Sequence, residues 1–139
     1  MDRHRLEKTY AGSYKREYPF GDNCGYCGQA ADSEDHIPPL AILPMLIAAG
    51  EGDRYERRLI PACRDCNVRL GASHAMTLRK RRKVLASRLE RKYKHLLRRV
   101  VWDEDELSEM GRNMRGYIET SQAKREYVME RLRVLRYFS

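Results

Sequence analysis

Four cysteines fall into two pairs of identical spacing, Cys24-Gly-Tyr-Cys27 and Cys63-Arg-Asp-Cys66, and these use every cysteine in the chain. A pair at this spacing grips one side of a tetrahedral metal, because the intervening turn aims both sulfurs inward. Two such pairs make a four-cysteine zinc site with Zn–S bonds of about 2.3 Å. The 35 residues between the pairs exceed the gap of a ribbon or finger, so a folded segment must sit between the two knuckles. Disulfides are the alternative, and in a chain without a secretory signal they are expected to be reduced. A thioredoxin-type redox motif needs one pair and leaves the second unexplained. A shell of four thiolates is closed to substrate, so zinc on Cys24, Cys27, Cys63 and Cys66 is expected to be scaffold, with any chemistry elsewhere.

With 139 residues, 42% hydrophobic and 35% charged, the chain can form only a modest core, which is where a metal staple helps most. The longest apolar run, Leu40–Ala49, has ten residues including Pro44, against roughly 20 for a bilayer span. A membrane span is therefore not expected, and a cytoplasmic location is. The formal net charge is +8, but it is unevenly placed. From Arg79 to Arg99 eleven basic residues face one acid, Glu90. A basic stripe on a near-neutral body is the electrostatic footprint of a protein that meets phosphates, with Arg81, Arg82, Arg88 and Lys92 as candidate contacts. A solvated helix face is the competing reading.

Three regions follow from the pattern. Residues 1–20 form a basic segment in which Tyr10, Tyr14 and Tyr18 recur four apart, on one helical face, with Phe20 as a further anchor. Residues 21–75 hold the cysteines, most glycines and most prolines, and are expected to be turn-rich with short elements. Within them, Leu40–Ala49 is expected to be a short helix with Pro44 in its first turn, Gly50–Asp53 a turn and Arg57–Ala62 a strand. Residues 76–139 read as helical. Leu85, Leu89, Tyr93, Leu96, Leu97 and Val100 fall on one face of a long basic helix. Asp103 and Glu106 predict a capping box, with Trp102 and Leu107 as its staple. Gly111 is expected to end or kink that helix, and a last helix to run from about Ser121, packing through Tyr127, Val128, Leu132, Leu135, Tyr137 and Phe138.

Between the knuckles stands Asp35-His36-Ile37-Pro38-Pro39, then Leu59-Ile60-Pro61-Ala62-Cys63, and directly after the second knuckle Asn67. In that order these pieces resemble the HNH nucleases of the ββα-metal fold, over about residues 22–71. The resemblance implies a small α+β protein, a zinc-stapled ββα-metal core followed by a mostly helical half. By position it implies Asp35 as the metal-binding acid, His36 as general base and Asn67 as second ligand of a Mg²⁺ or Mn²⁺ ion. Family members place an asparagine just before the strand; here it is Arg58, which can contact the scissile phosphate. His74 is expected to face solvent or phosphate, and His4 and His95 to be surface residues.

The chemistry is consistent with that resemblance. Phosphodiester hydrolysis needs a base for water and a cation against charge on the leaving oxygen. An imidazole serves the first at neutral pH, and a hard ion on one or two protein oxygens serves the second. The expected function is a metal-dependent endonuclease acting on DNA. The alternative is a non-catalytic zinc module, on the same scaffold, that binds nucleic acid or a protein partner.

Overall fold

The chain folds around a three-stranded sheet whose edge strand carries the Asp-His dipeptide. The computed structural model describes residues 2–16, 21–71 and 73–137. Elements run in the order α1 (Arg3–Tyr10), β1 (Lys15–Arg16), β2 (Ser33–Ile37), α2 (Leu43–Ala48), β3 (Arg58–Ala62), α3 (Arg64–Leu70), α4 (Leu78–Lys92), α5 (Lys94–Leu97), α6 (Glu104–Ser108) and α7 (Arg112–Tyr137). It is a small α+β protein with a mostly helical C-terminal half, as its sequence predicts.

The strand order is β1-β3-β2. β3 pairs antiparallel with β2, placing Asp35 opposite Ile60 and His36 opposite Leu59, and parallel with the two-residue β1. Side chains alternate across a strand, so Asp35 and Ile37 share one face and His36 the other. Each face has its own apolar cluster. The larger joins the four cysteines, Ile37 and Ile60 to Leu70, Leu85, Leu89, Val128, Leu132 and Leu135. The smaller joins Leu6, Tyr14, Leu40 and Leu43, with Leu59 packed against it. The larger cluster spans both sequence halves, so α4 and α7 complete the core that the knuckles begin.

Local rules explain several boundaries. α2 starts with Pro44 in its first turn. α6 begins with the expected capping box, Asp103 accepting from the Glu106 amide and Glu106 from the Asp103 amide. Three expectations are corrected. The N-terminal helix stops at Tyr10, and Tyr14 sits beyond a 3₁₀ turn in extended backbone, its hydroxyl donating to Pro38 O at 2.5 Å. The long basic helix breaks at Tyr93, and Val100 is exposed. α7 starts at Arg112 rather than near Ser121, because Gly116 lies on an exposed turn where Arg115 pairs with Glu104 at 2.6 Å and Glu119 at 2.7 Å. Tyr137 is exposed, while Tyr18, Phe20 and Phe138 lie outside the described residues. No helix among the described residues is long and apolar enough to cross a membrane.

Candidate functional site

The first knuckle turns tightly because Gly28 takes a φ of +81°, open mainly to glycine, while its amide donates to Cys24 O at 3.0 Å. The second opens α3: Cys63 is the N-cap, its sulfur accepting from the Cys66 amide. All four cysteines are buried, and their sulfurs lie within 4.8 Å of one another. Cys27 Sγ and Cys63 Sγ are 3.7 Å apart. A tetrahedron with 2.3 Å bonds has edges of about 3.8 Å, so the cluster has the donor set and spacing for a metal such as zinc. That separation is far longer than a disulfide. Among the described residues, no other group of three or more histidines, cysteines or carboxylates has metal-binding spacing.

The second site is a cleft of about 470 Å³ at the β2 edge, between α1 and α3. Asp35, His36 and Asn67 all line it, so the structure brings together the three residues singled out for chemistry. His36 is half-buried, with the Tyr14 ring edge-on at 4.9 Å between centroids. Burial pushes its pKa below the ordinary histidine value, and the charges of Asp35 and Glu7 offset this in part. The ring is thus held in its proton-accepting form near neutrality. Asn67 donates through Nδ2 to Ser33 Oγ at 3.3 Å and Glu34 O at 3.4 Å, while its Oδ1 takes no bond from a described residue.

Asp35 is engaged more deeply than its sequence position suggests. Its Oδ2 accepts from Tyr26 Oη at 2.5 Å and from Arg81 Nη2 at 2.6 Å. Arg81 also donates to Tyr26 Oη at 3.1 Å and to Ala75 O at 2.9 Å, and is 0% exposed. Burial raises the Tyr26 pKa well above its usual value, which keeps the phenol a donor. Asp35 Oδ1 takes no bond from a described residue. A hard cation fits what remains, one carboxylate oxygen and one amide oxygen, provided that water and phosphate supply its other ligands.

The expected nucleic-acid contacts need correction. Arg81 and Arg82 face the interior: α4 turns its 81-82-85-89 face inward, and Arg82 donates to Gly25 O of the first knuckle at 2.6 Å. Arg88 donates to Arg69 O at 2.6 Å and Leu70 O at 3.0 Å, capping the C-terminal end of α3. Lys92 is exposed, its ammonium 5.5 Å from the Tyr93 ring centroid. Arg58 does not line the cleft. It pairs with Ile37, so strand alternation puts it on the face opposite His36, where its charge reaches Arg82. His74, His4 and His95 are exposed.

Sequence reasoning missed Arg3 in the cleft, Tyr14 against the His36 ring, Tyr26 against Asp35, and Arg131 at the cysteines. Arg3 lines the cleft from α1 and pairs with Glu7 at 2.9 Å. Nothing in the sequence ties it to residues thirty positions away. Arg131 had a legible signal, since it falls between Val128 and Leu132 on the apolar face of its helix. No protein-family model, curated protein or solved structure matches this chain.

Proposed function

We propose that the protein is a metal-dependent endonuclease of the HNH type that hydrolyses DNA phosphodiester bonds, on a core stapled by zinc at Cys24, Cys27, Cys63 and Cys66. The observation that carries this reading is the convergence of Asp35, His36 and Asn67 on one open cleft beside the four-thiol cluster. His36, neutral near pH 7, takes a proton from water lying against the scissile phosphate. The water oxygen attacks phosphorus and the bond to the 3′ oxygen breaks. Asp35 Oδ1 and Asn67 Oδ1 would hold Mg²⁺ or Mn²⁺, which when bound supplies positive charge to the leaving oxygen. The Tyr26 and Arg81 contacts fix the Asp35 carboxylate, the Asn67 amide is fixed by β2, and Arg3 steadies the phosphate at the cleft. The exposed basic face of α4, Arg79, Lys80, Lys83 and Arg91, meets the DNA backbone.

The Asp35–Arg81 pair favours a second reading. An acid already neutralised by a buried guanidinium has less charge to offer a cation, and the same scaffold then serves as a binding module for nucleic acid or a protein partner. Nicking of supercoiled plasmid with Mg²⁺ or Mn²⁺ decides between them. The endonuclease reading expects nicking that His36→Ala reduces by about 10²–10⁴-fold without loss of bound zinc. Absence of nicking in the wild-type chain with either ion, alongside retained DNA binding, overturns it in favour of the module.

A further inference from the structure

Arg131, on the C-terminal helix, is 2% exposed and points at the cysteine cluster. Its Nη2 lies 3.1 Å from Cys66 Sγ and its Nη1 2.7 Å from Asp65 Oδ2. Asp65 is itself held by Arg69 at 2.8 Å, so the guanidinium is anchored from the side away from the sulfur. The Tyr127 ring lies 5.7 Å below it. Arg131 Nε is buried with no hydrogen-bond partner among the described residues, a cost that a purely structural arginine has no reason to carry.

The helix also sits flush on the first knuckle. A Cβ built at Gly28 would come within 3.3 Å of Val134 Cγ1, while Val128, Leu132 and Leu135 pack in the same cluster as all four cysteines. Four thiolates around a divalent ion carry a net charge of −2, and a buried net charge is costly unless it is compensated. Among the described residues, Arg131 is the cation with a side-chain bond to a cysteine sulfur. A guanidinium donating to a thiolate halves the net charge and lowers the electron density on that sulfur.

We infer that Arg131 is the charge-compensating positioning residue of the four-cysteine metal centre, and that docking of α7 and loading of the metal are thereby coupled. The coupling is reciprocal: whatever the helix adds to metal affinity, the metal adds to helix docking. This inference rests on the cysteine centre and not on any cleavage activity.

The test uses the full chain loaded with Zn²⁺ or Co²⁺. Competition against a chromophoric chelator should show Arg131→Gln binding Zn²⁺ about 10–100-fold more weakly than wild type. In the Co²⁺ form, its sulfur-to-metal charge-transfer band should shift to lower energy, since the Cys66 thiolate becomes a stronger donor. Leu132→Ala, which loosens the same helix without touching sulfur, should leave the band in place. Arg131→Lys should fall between wild type and Arg131→Gln in affinity, and it carries the spectroscopic readout if Arg131→Gln does not fold. Removing Zn²⁺ from wild type should accelerate amide hydrogen exchange across residues 128–135. Wild-type affinity and an unmoved band in a folded Arg131→Gln or Arg131→Lys overturn the inference. A wild-type chain that takes up no Co²⁺ overturns the metal centre itself, which is a different and recognisable result.

Discussion

Helix α3 serves both sites through neighbouring residues: Cys66 turns into the buried thiol cluster, and Asn67 turns to the open cleft. Successive positions on a helix point about 100° apart, so one short element presents side chains to two environments. The thiol cluster is closed, soft and buried, with Arg131 against one sulfur. The cleft is open and lined by polar and apolar side chains alike, with Arg81 against Asp35, one of the two acids that β2 brings to it. Each site therefore sets a buried arginine beside an anion, with opposite consequences. With a metal on four thiolates the cation at Cys66 would offset surplus negative charge, whereas the one at Asp35 would compete with a metal.

The largest test of this contrast is removal of the metal. Chelation, or Cys63→Ser, should abolish cooperative unfolding followed by circular dichroism. Structural zinc contributes on the order of 10 kcal/mol, comparable with the whole stability of a small domain. A chelated chain with an unchanged melt would break the comparison at its root.

Breaking the buried pair should come next. Arg81→Met leaves the Asp35 carboxylate buried with Tyr26 alone and should lower stability by about 3–5 kcal/mol, read from the urea midpoint. Adding Asp35→Asn to that variant should recover most of the loss. If the single and double variants unfold alike, the loss does not come from an unpaired carboxylate.

The effect of pH on His36 is smaller and has a definite sign. Folded His36 has a pKa below its unfolded value, so between the two the unfolded chain binds more protons. Its contribution to stability is therefore full above about pH 6.5 and falls as the pH drops through that window. Cleavage should likewise hold steady from pH 8 to 7 and decline only below about 6.5. Urea midpoints of wild type and His36→Gln across pH 5–8 should converge toward the acid end, and parallel curves would show that His36 is not shifted.

Smallest per residue is the α4 surface. Replacing Arg79, Lys80, Lys83 and Arg91 together by glutamine should reduce the slope of log K against log salt by up to about 3–4 on duplex DNA, since each phosphate contact contributes about 0.9. Stability should hardly change, because all four are exposed. An unchanged slope would leave the basic stripe as a solvated face.

What the sequence made legible was whatever short-range spacing encodes. The knuckles, the capping box at Asp103, Pro44 at the start of α2 and the strand ending at Ala62 all depend on residues within a few positions of one another. The convergence of Asp35, His36 and Asn67 on one cleft was legible only through the order of motifs along the chain. What escaped were arginines with interior roles. Arg81, Arg82 and Arg131 count as surface charge in any composition, yet each falls in step with buried leucines of its own helix: Arg81 and Arg82 with Leu85 and Leu89, Arg131 with Leu132 and Leu135. An arginine in phase with an apolar stripe signals a hydrogen-bond acceptor waiting on another element: the Asp35 carboxylate for Arg81, the Gly25 carbonyl for Arg82 and the Cys66 sulfur for Arg131. The early start of α7 escaped for a different reason, since glycine at position 116 costs about 1 kcal/mol, which the Arg115 pairs and the rest of a 26-residue helix outweigh.

The contact from Arg131 to Cys66 spans 65 positions of chain. Ribosomes add about 5–20 residues per second, so the four cysteines are complete roughly 3 to 13 s before their counter-charge is made. Helices form on the microsecond scale, so synthesis rather than local folding sets this interval. While it lasts, the nascent knuckles lack the helix that will cover them. A metal ion would have its widest route to the sulfurs then, before α7 arrives and closes over them.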